Sequence, residues 1–330
     1  MSTSGRAHGP VVVVGAGIAG VTCARELRAA GLDVRVLDRG RRLGGRMASR
    51  TLAGRPVDTG ASYFTGGDER FDAVVRDWEA RGVARRWTDT FHVLAPGQEP
   101  TTKSGPVRWG AGGGMRSLVE DLARGLDVQQ HEVASVRRRD GVLEVDGEPA
   151  AAVVLAMPDA QARRLLDPTL ASASATDRAY EPVLALSAVF DRRDWDDPGR
   201  TGDRFDGAFV NDHDVLAWIA DDGRRRGDDA PVLVAHSTPG FAQPRLDDPA
   251  AAGSDLLDAL RELLALGAEP TETHVQRWSL ARPTGSREPT FHLSEDLVGL
   301  CGDGWGPVSK VQGAWVSGHD LGVELARRLG

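Results

Sequence analysis

Cysteine and tyrosine are scarce in this sequence, two of each in 330 residues, and several larger features are missing altogether. Cys23 and Cys301 form no CxxC pair, and the eight histidines add no ligand spacing, so neither a disulfide framework nor a metal centre is expected. Two free thiols make the cytoplasm the default location. No uninterrupted apolar run approaches membrane-spanning length, so no membrane partner is expected. The opening MSTSGRAHGP lacks an apolar core and reads as a loose tail rather than a signal peptide. An excess of positive charge is absent too. Forty lysines and arginines against 48 acids leave a formal charge of −8, which argues against a partner bound by its phosphate backbone, so no nucleic-acid partner is expected. Neither an internal repeat nor a Ser-His-Asp or Cys-His arrangement stands out.

The composition that remains, 41% hydrophobic and 27% charged, is that of a soluble globular chain long enough for one or two domains. Eight tryptophans point either to a cavity lined by indoles or to indoles scattered through the core.

The stretch PVVVVGAGIAGVTCARELRAAGLDVRVLDRG is the richest in information. Val11 to Val14 suit a buried parallel strand. Gly15, Gly17 and Gly20 follow as GxGxxG, giving a tight turn, close approach for a pyrophosphate, and close packing of helix on strand. A helix from Ile18 to about Ala30 turns its free N–H groups toward the phosphates, and Gly31 ends it. A second strand, Val34 to Leu37, delivers Asp38, with Arg39 beside it, where a carboxylate can accept ribose hydroxyls.

The next segment selects FAD over NAD. RGRRLGGRMASRTLAGRPVDTGASYFT sets Gly45 and Arg46 where a simple NAD-binding unit would enter its crossover helix, and Arg46 is placed to reach the pyrophosphate. Gly60 and Ala61 are small enough for a flat ring to lie close, and Asp58 either braces their turn or faces solvent. Near the C-terminus, Val298 to Cys301 read as a short buried strand leading into Gly302, Asp303 and Gly304. Asp303 is placed for polyol hydroxyls such as a ribitol chain. A helix is expected to start at Pro307, Val308 and Ser309 and to run through Lys310 and Val311 to about Leu329. Its N-terminus would face the edge of an isoalloxazine where negative charge appears on reduction. Gly313, Ala314, Ser317 and Gly318 are small at roughly helical spacing and allow close packing. A long cofactor needs two separated contact regions, and this chain has them at its two ends.

These stretches, with PVRWGAGGGMRSLVEDLA, VQRWSLARP and CGDGWGPVSKVQGAWVSG, carry a resemblance to the flavin-dependent amine oxidase superfamily, and within it to the renalase-like branch. Gln276 and Leu280 stand where related sequences often carry His and Tyr. The resemblance implies an α/β fold: a discontinuous Rossmann-like FAD-binding domain with an inserted α+β substrate domain containing an antiparallel sheet. It implies FAD held non-covalently, with Cys301 a buried strand thiol, and Val133 presenting backbone to adenine. It also implies oxidation of dihydro-NAD(P) isomers to NAD(P)+, with O2 as electron acceptor. Oxidation of a small amine or other C–H donor, and a non-catalytic flavin-binding module, are the alternatives.

Residues 1–70, 107–158 and 290–330 are assigned to the FAD domain, and 71–106 and 159–289 to the substrate domain. Met115 to Arg124 read as a helix, and EVASVRRRDGVLEVDG as a hairpin turning at Asp140–Gly141. Five strands (VLALSAVF, FDGAFV, VLAWIAD, VLVAHS and THVQRWSL) and a helix from about Ala250 to Leu266 make the substrate domain. DDGRRRGDDAP reads as a solvated loop. Hydride transfer to a flavin demands little acid–base chemistry of the protein, so the pocket candidates are residues that shape and orient. They are Tyr63, Phe64, Trp109, Trp278 and Trp305, with His236 and His274 as polar members, each with core packing or a local hydrogen bond as the plainer role. Arg277 and Arg282 orient an anionic substrate or brace an interface. Lys310 supports the helix start near the flavin, through a water near N5.

Overall fold

The computed structural model describes residues 9–196 and 204–330; the expected N-terminal tail falls, but for its last two residues, outside the described residues. The chain forms two compact units, the first comprising the chain up to Gly45, Val119–Tyr180 and Arg282–Gly330, the second Arg46–Leu118 and Glu181–Ala281.

The first unit is built on a six-stranded sheet in the order His292–Leu293, Val298–Leu300, Ala152–Leu155, Val11–Val14, Val34–Asp38, Asp127–Gln130. All neighbours are parallel except the short edge strand His292–Leu293. Val11 to Val14 are buried throughout, as an unbroken β-branched run in the middle of a covered sheet must be. The helix Ile18–Ala29 follows the glycine turn, with Gly31 at φ +83° just past its end. Against it packs the C-terminal helix Val311–Leu329. Side chains are missing where the two helices come closest: a Cβ on Gly318 would overlap the Ala19 carbonyl, and one on Gly322 would lie 2.7 Å from Glu26 Cβ. A separate three-stranded sheet contains the hairpin Val136–Arg139/Val142–Val145, whose turn residues Asp140 and Gly141 both have positive φ, 50° and 83°, matching the twist of the strands.

The second unit contains a seven-stranded sheet in the order Glu272–Pro283, Tyr180–Val189, Val232–Ser237, Leu216–Asp221, Gly207–Val210, Arg85–Leu94, Thr101–Gly110. The five expected strands are all there, joined at one edge by Arg85–Leu94 and Thr101–Gly110. Gly207–Val210 pairs parallel to Arg85–Leu94, whereas its other partner, Leu216–Asp221, is antiparallel. The helix Gly253–Leu264 buries Leu256, Leu260 and Leu264 in the core of this unit. Its first expected turn, Ala250–Ala252, is a tighter 3-10 turn.

The two units divide the chain at positions other than the expected domain boundaries. Segments 46–70 and 107–118, assigned from sequence to the cofactor domain, belong to the second unit, and 159–180 with 282–289 to the first. The reason is pairing: Thr101–Gly110 extends the seven-stranded sheet, and the hairpin Ser49–Leu52/Arg55–Asp58 ends in Asp58, whose charge partner Arg225 lies in the second unit. The helix expected from Met115 to Arg124 stops at Leu122. Among the described residues, no helix is long and apolar enough to cross a membrane.

Candidate functional site

In the first unit the GxGxxG turn joins strand to helix with Gly15 at φ +108°. A Cβ on Gly20 would strike the Gly15 carbonyl, so the third glycine brings the helix against the turn. Gly17 differs: nothing lies within 4 Å of where its Cβ would point, and no side chain caps the helix it begins. The backbone is bare and open here, with free helical N–H groups beside it, as binding of a pyrophosphate requires. Asp38 organises the surroundings. One carboxylate oxygen accepts the Ala16 N–H at 2.6 Å and the other the Gly40 N–H at 2.7 Å, leaving a lone pair on each for ribose hydroxyls. The Gly44 N–H donates to the Ala16 carbonyl at 3.0 Å, so the Gly44–Gly45 pair passes directly beside the glycine loop. These residues fit an adenine dinucleotide cofactor.

The C-terminal turn lies in the same unit. Gly302, at φ +142°, has open space where a Cβ would stand, and its N–H donates to Ser317 Oγ at 2.9 Å. Asp303 Oδ2 accepts the Ser309 hydroxyl at 2.8 Å, which closes the turn on itself. This closure, with Gly306 at φ +85°, postpones the helix. It begins at Val311 rather than Pro307, with the exposed Lys310 as an extended N-cap residue and Val308 and Ser309 exposed in the turn. The turn is also held from behind. Arg178 donates to the Gly304 carbonyl, and the Arg287 guanidinium lies 4.2 Å over the Trp305 ring while pairing with Asp159 and Asp177 at 2.7 Å. Trp305 is buried in the apolar cluster of the first unit. Val133 is buried in the same cluster. Cys301 is fully buried and burial pushes its thiol up to about 12, which fits a cofactor held without a covalent bond.

In the second unit, Gly60 sits where a Cβ would run into the Arg46 carbonyl and lie 3.3 Å from Cζ2 of Trp278. The Trp278 indole is pinned there, its Nε1 donating to the Thr59 carbonyl at 2.6 Å. Arg46 itself donates from Nη1 to the Ala281 carbonyl at 3.1 Å. Tyr63 lies among Trp87, Phe91 and Trp218 with ring centres 5.5–6.2 Å apart, and its hydroxyl is held above the ordinary phenol value by burial, partly offset by Arg108. Phe64 and Trp109 turn inward and stack on each other, 6.3 Å apart and 14° from parallel. His236 and His274 are half-buried; burial, then the charge of Arg50, lowers His274 from the ordinary imidazole value.

The stretch DDGRRRGDDAP is not a solvated loop. Asp222–Arg226 form a helical turn capped by Asp221, and Asp221, Asp222 and Arg225 are completely buried. Arg225 pairs with Asp222 and stands 3.4 Å from Asp58; Arg55 reaches Asp222 at 2.8 Å. Asp58 is therefore no solvent-facing acid. It accepts the Ser49 hydroxyl and the Met115 N–H, and burial lifts its carboxyl above the ordinary value while Arg225 draws it back. Sequence reading missed this cluster, although three arginines flanked by aspartates carried the ingredients of a neutralised core.

Comparison with known proteins identifies the family and the fold. A family model described as NAD(P)-binding Rossmann-like domain matches residues 13–78, and one described as flavin containing amine oxidoreductase matches residues 92–320. Among curated proteins, the chain is 53% identical over 55 residues to hydroxyneurosporene desaturase of Rubrivivax gelatinosus, a match covering 17% of this chain and 10% of that protein. It is 35% identical over 149 residues to polyamine oxidase 1 of Oryza sativa, covering 36% of this chain and 29% of that one. The matched part thus spans well under half the length of these relatives. Among solved structures, cyclohexylamine oxidase from Brevibacterium oxydans has the same fold, with a TM-score of 0.75 at 14% identity over 97% of this chain and 99% of that one.

Proposed function

The chain belongs to the flavin containing amine oxidoreductase family, and we propose that within it this protein is an FAD-dependent oxidase of the renalase-like branch, converting dihydro-NAD(P) isomers to NAD(P)+. The pinned indole of Trp278 beside Gly60 carries this reading. Bound FAD would supply the redox chemistry, a two-electron acceptor for hydride whose reoxidation by O2 and two protons would give hydrogen peroxide. The residues bind and orient. Gly15, Gly17 and Gly20 would hold the pyrophosphate, Asp38 the ribose, and Gly302 and Asp303 the ribitol chain. A dihydropyridine becomes aromatic on losing a hydride, so its oxidation requires alignment rather than a base at carbon. Trp278 provides a fixed flat wall for such a ring. Strand alternation puts His274 and Gln276 on its face, and the lowered pKa keeps His274 neutral at pH 7. Oxidation of a small amine is the second reading, favoured by the match to a polyamine oxidase.

Aerobic turnover distinguishes the two. With 2- or 6-dihydro-NAD(P) the FAD-loaded protein is expected to form NAD(P)+ and hydrogen peroxide in equal amounts, and to leave ordinary NADH and amines untouched. Peroxide formation from amines alone would transfer the assignment to the second reading.

A further inference from the structure

The loop Asp58–Ser62, which holds Gly60 and Ala61, is anchored at both ends by one side chain. Arg225 Nη1 donates to the Ser62 carbonyl at 2.9 Å, while Nη2 bonds Asp222 and stands 3.4 Å from the Asp58 carboxylate. Between these anchors the backbone is tied at Thr59 and Ala61: Thr59 N–H to the Ala48 carbonyl, Thr59 carbonyl to Trp278, Ala61 N–H to the Arg46 carbonyl at 2.9 Å. The Arg225 side chain has no solvent exposure. Stability alone does not call for an ion there, since apolar residues of similar volume often replace buried ion pairs without loss. A guanidinium offers what they lack: several donors in a rigid plane, able to hold two groups at a set separation.

We propose that Arg225 is a positioning residue for the flavin ring: by spanning Asp58 and Ser62 it sets the placement of the Gly60–Ala61 backbone, the surface that the sequence assigns to the ring. The inference rests on the flavin reading above. A lysine keeps the charge but donates from a single point, so it cannot span the loop.

The test compares Arg225→Lys and Asp58→Asn in the full FAD-loaded chain with Arg193→Lys, a half-buried arginine that pairs instead with Asp196 and Asp221. Both loop variants are expected to retain FAD but to shift its visible bands and midpoint potential, and to slow its reduction roughly 10- to 100-fold. Arg193→Lys should lower the melting temperature while leaving spectrum, potential and rate as in the wild type. Wild-type spectra and potentials in the loop variants, or the same shifts in Arg193→Lys, would overturn the proposal. If Arg225→Lys does not fold, Asp58→Asn decides by the same criteria. A wild type that takes up no FAD would overturn the flavin reading itself, and this inference with it. The potential needs no substrate, so a wrong donor assignment leaves the comparison intact.

Discussion

At the scale of single residues, burial governs the chemistry that the side chains retain. Cys301 keeps its proton because burial removes it from solvent, and burial likewise lifts the Asp58 carboxyl, which Arg225 beside it draws back. His274 gives a titration that can be followed. Its folded pKa lies below the ordinary 6.5, so the stability it contributes is present above pH 6.5 and is lost as pH falls through the folded value. Proton NMR should place the His274 midpoint below 6.5, and Arg50→Ala should move it upward; a midpoint above 6.5 would contradict the assigned environment. The residues that sequence made legible are those whose partners are local, such as Gly15 and Gly31. Arg225 was illegible because its partner Ser62 lies 163 positions away, and an arginine run with no visible partner reads as surface.

At the scale of elements, glycine serves two purposes that substitution separates. Gly318 is occupied space: alanine there meets the Ala19 carbonyl, and Gly318→Ala should cost about 1–3 kcal/mol in chemical denaturation. Gly17 is open space. Gly17→Ala should leave the apoprotein's denaturation midpoint unchanged yet weaken FAD binding about 10- to 100-fold by titration, since its methyl would fill the approach to the pyrophosphate. Loss of apoprotein stability with intact affinity would reverse these roles. The βαβ unit was readable because strand, turn and helix adjoin in sequence, and the hairpin because Asp140–Gly141 suits paired positive φ. The late start of the C-terminal helix was not: the hydrogen bond from Ser309 back to Asp303 and the positive φ of Gly306 put Pro307 in the turn.

At the scale of the whole molecule, the first unit is assembled from three chain segments, so the glycine signals at the two ends of the sequence belong to one sheet. That architecture was legible as a pairing of motifs. The division between units was less so, because the hairpin after the second glycine pair looks continuous with the nucleotide fold until Asp58 meets Arg225. The donor is fixed by neither fold nor family, since a flavin can take hydride from many C–H bonds and the protein selects by shape and alignment. Anaerobic mixing of the FAD-loaded protein with each donor in turn, followed at the flavin absorption band, is the most direct test. The account predicts rapid bleaching by 2- or 6-dihydro-NAD(P) and slow or no bleaching by NADH and simple amines. Bleaching by amines alone, or by no donor at all, would contradict it.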